Sequence, residues 1–111
     1  MRLKNRNICL FVSVSLFVSC TAGLLAPTKT DESIAKQKWS DANMDQLQKG
    51  YHLYVNKCAG CHYLHDPKEY SEQKWKTEIP EMGKRAYLSD LETDLVLRFI
   101  LTKKYTSTSA P

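Results

Sequence analysis

Histidine and methionine are scarce in this chain, with three of each in 111 residues. Charge is missing altogether between Arg6 and Lys29. There is no internal repeat, which excludes solenoids and propellers, and the length allows one domain at most, plus tails. Excess charge is also lacking once the N-terminus is set aside. Residues 1–19 hold three of the 16 Lys/Arg (Arg2, Lys4 and Arg6) and none of the 12 Asp/Glu, leaving 13 against 12. A near-neutral chain has no basic footprint, so no nucleic-acid partner is expected.

The uncharged stretch has the form of an export signal. A basic start is followed by the apolar run ICLFVSVSLFV at residues 8–18, then by small residues. Phe17-Val18-Ser19-Cys20 resembles the box at which bacterial lipoproteins are cleaved and lipidated, with Phe17 where leucine is usual. On that expectation residues 1–19 are a signal peptide and Cys20 is the lipid attachment site. Two alternatives stay open. Residues 8–26 are long enough for an uncleaved anchor, although Ser13, Ser15, Ser19, Thr21 and Gly23 make a poor span. Simple cleavage near Ala22 or Ala26 is the other. All three carry the rest of the chain out of the cytoplasm. Cys9 lies in the apolar run and is given no role.

Residues 20–43 combine Pro27, several Ser/Thr and mixed charge with little apolar periodicity, and are expected to be a tether. Trp39 fits either an arm packed on the domain or an exposed side chain. Beyond it the chain is organised around Cys58-Ala59-Gly60-Cys61-His62, a C-x-x-C-H motif. Two thiols three positions apart on one turn reach the two vinyl groups of a haem, forming thioethers. The following histidine is placed to give the iron an imidazole nitrogen. Three other readings compete. A thioredoxin-like redox pair needs a preceding strand and a βαβ context. A zinc site from Cys58, Cys61, His62 and His65 is crowded into eight residues. A Cys58–Cys61 disulfide closes a very small, strained loop.

The remaining pattern is helical. Asn43 is placed to cap a helix over 44–57 whose apolar face is Leu47, Tyr51, Tyr54 and Cys58, with His52 on the solvent side. Gly50 within it points to a close helix crossing. Asp66-Pro67 makes a turn. Ser71 caps a second helix, which Pro80 breaks, kinks or restarts. Ser89-Asp90-Leu91-Glu92 is a capping box opening a third helix to about Lys104, with Leu91, Leu95 and Phe99 as its face, widened by Val96 and Ile100. Residues 106–111 read as a flexible tail. A helical part of roughly 60 residues is marginal without a staple. A covalent porphyrin would supply the missing apolar centre.

These residues resemble those of small bacterial monohaem cytochromes c of the class I type. Gly50 and Tyr54 stand eight and four residues before Cys58, as in that family's N-terminal helix. The run Asp94 to Leu101, with Phe99 in the aromatic position, resembles its C-terminal helix. Trp75 followed by Ile79-Pro80-Glu81-Met82 is similar to its distal segment. The resemblance covers residues 44–105 and implies an all-α fold of about three helices around one covalent haem c. It implies Met82 as sixth ligand opposite His62, Trp75 near the haem, and Pro67 as the carbonyl orienting the second ring nitrogen of His62. Only 20 positions separate His62 from Met82, so the distal half is minimal and a haem edge is expected to be open.

The expected function is one-electron transfer by a lipid-anchored protein facing the periplasm or the outside, a carrier rather than an enzyme. Its partners would be redox proteins, one donor and one acceptor. The alternatives are a five-coordinate haem sensor or peroxidase-like protein, and a redox subunit of a larger oxidoreductase.

Overall fold

A computed structural model describes residue 24 and residues 26–106. Four α-helices are present, and no strand among the described residues: α1 (Lys29–Lys38), α2 (Met44–Lys57), α3 (Glu72–Arg85) and α4 (Asp90–Thr106). A single 3₁₀ turn, Cys58–Gly60, continues directly from α2. The fold is all-α, with one helix more than the three expected. Cys9, Cys20, the signal region and residues 107–111 lie outside the described residues.

The extra helix corrects the tether expectation for residues 28–43. Thr28 and Asp31 form a reciprocal capping box that starts α1. Asp31 is then buried, with Lys103 Nζ 2.8 Å and Thr106 Oγ1 2.6 Å from its carboxylate. Ala35 packs with Ala42 and Leu47, and Lys38 reaches Glu72 of α3, to which Tyr105 of α4 also bonds. Polar bonds hold α1 more than apolar area does, which is why its periodicity is faint. Trp39 is half-buried against both apolar clusters, with the Arg98 guanidinium over its ring, so the packed-arm alternative holds.

α2 occupies the expected residues, with the Asn43 side chain accepting from Gln46 N–H. It crosses α4 at Gly50. A Cβ there would lie 2.2 Å from the Leu95 carbonyl oxygen and 2.9 Å from Phe99 Cβ, so only glycine permits this approach. Leu53, Tyr54, Trp75, Ile79, Val96, Phe99, Ile100 and Leu101 make the main core. On α4 the buried face is Val96, Phe99, Ile100, Leu101 and Thr102. Leu91, expected inside, is 70% exposed because it precedes the crossing with α2.

α3 runs unbroken through Pro80, where the sequence predicts a break, kink or restart. Losing one backbone bond to an interior proline costs about 3 kcal/mol. Buried Trp75, Ile79 and Gly83, one face at four-residue spacing, offset that against α4. The helix ends in a Schellman arrangement: Leu88 N–H bonds Gly83 O at 2.9 Å and Tyr87 N–H bonds Lys84 O at 3.2 Å. The residue in the left-handed conformation is Tyr87, at φ 57°, where glycine would be cheaper by about 1 kcal/mol.

Candidate functional site

The end of α2 delivers the C-x-x-C-H motif to one wall of a cleft, and the end of α3 forms the other. Lys57, Cys58, Cys61, His62, Met82, Arg85 and Ala86 line it. Cys58, Cys61, His62 and Met82, expected as site residues, are thus brought together. At about 150 Å³ the cleft is smaller than the roughly 300–1,000 Å³ of pockets that engulf a ligand. A porphyrin-sized group seated here would keep an edge outside.

Each donor has a local cause. Cys58 stands at the C-cap of α2 and is half-buried, and the 3₁₀ turn carries the chain to exposed Cys61 and His62. A side chain at Gly60 would meet open space, so this glycine is not forced by packing. His62 Nδ1 lies 2.7 Å from the Tyr63 carbonyl oxygen. A bond there fixes the proton on Nδ1 and leaves Nε2 as the ligating nitrogen. The expectation gave that carbonyl to Pro67. In the structure Pro67 O instead accepts from Trp75 Nε1 at 2.8 Å, because a buried indole N–H needs an acceptor.

Trp75 is corrected in the same way. It does not line the cleft but sits in the core, 1% exposed, with its ring beside Tyr70. Met82 is half-buried in the last turns of α3. Its place on the cleft follows from the helix itself, one residue before the Gly83 contact with Thr93. Lys84 is turned to Glu81 at 2.9 Å, whereas Arg85 is on the cleft.

The loop between motif and α3 is pinned from both sides. Tyr54 of α2 donates to His65 O at 2.8 Å, and Trp75 of α3 donates to Pro67 O. Burial, with Cys58 nearby, pushes the Tyr54 hydroxyl above its ordinary range, so it stays a donor. Sequence reasoning missed this pair of clamps. The signal available was two large aromatics with polar tips on predicted buried faces. His65 bonds Glu69 at 2.8 Å and lies beside Tyr70; its ring is 5.4 Å from that of His62 but is not in the cleft lining.

The geometry bears on the competing readings of the motif. Cys58 and Cys61 are free thiols. Burial, and then the neighbouring Cys61, push the Cys58 thiol up, whereas a redox-active C-x-x-C needs a depressed thiol at a helix start. Among the described residues no three His, Cys, Asp or Glu side chains converge on a metal-sized point, as a four-ligand zinc site would require. The donor set that remains is two thiols, one imidazole and one thioether around one cleft, and these are groups that fit a covalent haem. Among the described residues no helix is long and apolar enough to cross a membrane. Comparison with protein-family models, with curated proteins and with solved structures found no match.

Proposed function

We propose that this chain is a one-electron carrier of the cytochrome c type, with one haem c attached through Cys58 and Cys61. The observation that carries the reading is that the C-x-x-C-H residues and Met82 line the same cleft. Bound haem supplies reversible Fe(II)/Fe(III) chemistry. The protein's part is to hold and orient. Cys58 and Cys61 tether, His62 presents Nε2 with Nδ1 held by the Tyr63 carbonyl, and Met82 offers a thioether from α3. The clamps from Tyr54 and Trp75 fix the loop behind His62, so little rearranges between oxidation states.

Among the described residues no histidine other than His62 lines the cleft. His52 is exposed and His65 is tied to Glu69, so there is no distal imidazole for a peroxidase-like reaction. Export and lipidation at Cys20, by the signal pattern, would hold the domain at a membrane facing the periplasm or outside. A donor and an acceptor protein would be its partners. Optical spectra of the exported protein, oxidised and reduced, with and without carbon monoxide, test the reading. Low-spin haem c spectra unmoved by carbon monoxide are expected. Absence of haem bands, or a high-spin centre that binds carbon monoxide at once, would contradict it.

A further inference from the structure

The near-neutral balance of the chain conceals a polarised domain. α1, the start of α3 and the end of α4 meet at one end: Lys38 and Tyr105 both reach Glu72, while Lys103 and Thr106 hold Asp31. Residues 28–38, 72–76 and 102–106 there hold seven Lys against Asp31, Glu32 and Glu72. The other described residues hold six Lys/Arg against nine Asp/Glu. From Glu72 at this end α3 runs 14 residues to Arg85 on the cleft, a rise of about 20 Å. The basic end and the cleft thus stand at opposite ends of α3.

The ion pairs leave the excess charge facing outward. Glu32 is shared by Lys29 and Lys36, and Glu72 by Lys38 and Lys76, two cations to each carboxylate. The Glu32 side chain is 14% exposed, whereas those of Lys29 and Lys36 are 85% and 53% exposed. The carboxylate is drawn in and the ammonium groups stand outside it. Exposed pairs of this kind stabilise a fold little, but their summed field reaches into solvent.

The same end receives the N-terminal chain. Lys103 Nζ bonds Ala26 O at 3.2 Å, and Leu24 packs on the main core. Cys20, the expected lipid site, stands four positions before Leu24, and four residues reach about 14 Å at most. A bilayer holding that lipid lies beside the basic end. α1 falls outside residues 44–105, so this end is not part of the cytochrome c resemblance.

We infer that α1, with the start of α3 and the end of α4, rests on anionic lipid headgroups and turns the cleft away from the bilayer. The inference rests on the export and lipidation reading and adds an orientation to it. The attraction needs negative headgroups and falls with salt. Held so, the domain presents its cleft to the aqueous side.

The full exported chain, ¹⁵N-labelled and kept reduced, would be seated on nanodiscs carrying gadolinium-chelate lipid, in phosphatidylglycerol or in phosphatidylcholine. In phosphatidylglycerol, amide broadening should centre on residues 29–38 and 103–106 and fade toward 57–62 and 82–86. In phosphatidylcholine, or at high salt, that gradient should weaken. K29Q/K36Q should flatten it at least twofold in phosphatidylglycerol. E32Q, which removes a carboxylate instead, should steepen it, so that lost charge is told apart from a damaged helix. Broadening centred on the cleft end, a gradient indifferent to headgroup charge, or one unmoved in K29Q/K36Q would overturn the inference. So would a flat gradient in a chain that binds polyglutamate through these lysines, which would assign the end to an acidic protein. If the intact mass shows no lipid at Cys20, the anchoring reading fails separately. Co-sedimentation with the two kinds of vesicle then decides: salt-sensitive binding to phosphatidylglycerol alone supports the basic end as a lipid contact, and no binding overturns it.

Discussion

Asp31 shows how a single side chain joins the two ends of the domain. Its carboxylate accepts from Thr28, Lys103 and Thr106 while almost fully buried. Burial alone would push its pKa up, but the bonds from Lys103, Thr106 and Thr28 outweigh this and hold it below the ordinary 3.8. A depressed carboxylate stabilises the fold above its unfolded pKa and loses that stabilisation as pH falls through the folded value. Denaturant unfolding should therefore show stability dropping below about pH 4. Asp31→Asn should cost about 2 kcal/mol at pH 7 and flatten that drop; an unchanged acid limb in the variant would show that other carboxylates govern it. Met82 is the corresponding test at the cleft. Under the proposed ligation, Met82→Ala should admit carbon monoxide to the iron, and Met82→His should stay low-spin at a lower potential. An alanine variant spectrally identical to the wild type would remove Met82 as a ligand.

At the scale of elements, the crossing of α2 and α4 is fixed by Gly50. Gly50→Ala gains about 1 kcal/mol of helix propensity but forces a Cβ against the Leu95 carbonyl, an overpacking costing about 3 kcal/mol. The net expectation is a loss of about 2 kcal/mol in denaturant midpoint analysis, and a neutral or stabilised variant would mean that the helices separate there. This crossing was legible because an interior glycine on an apolar face has few other uses. The capped starts at Asn43, Ser71 and Ser89 were legible too, since each side chain has its acceptor role at a fixed spacing. α1 was not, although Thr28-Lys29-Thr30-Asp31 carries the capping signature. Its holding contacts are to residues more than 70 positions away, and no local period reports those. The bond between Trp75 and Pro67 was hidden for a related reason, since hydrogen bonds between loop and helix are invisible to periodicity.

For the whole molecule, α1 packs residues 29–38 onto the domain, so that part of residues 20–43 is not a free link. The main core joins α2, α3 and α4, yet the wall at the end of α2 leaves Cys61, His62 and Tyr63 exposed. Such a wall acquires an apolar neighbour only with a group seated in the cleft. Cys58→Ala and Cys61→Ala should accordingly lower thermal stability far more than either loses in apolar area alone, about 1 kcal/mol for a small thiol side chain. Matching melting curves for both variants and the wild type would argue against any group bound there. The most direct measurement is the intact mass of the exported protein after denaturing acid–acetone extraction. The account predicts a polypeptide heavier by one haem, with the added mass lost from the Cys58→Ala/Cys61→Ala variant. A mass equal to the processed polypeptide alone, from cells competent to attach haem, would contradict it.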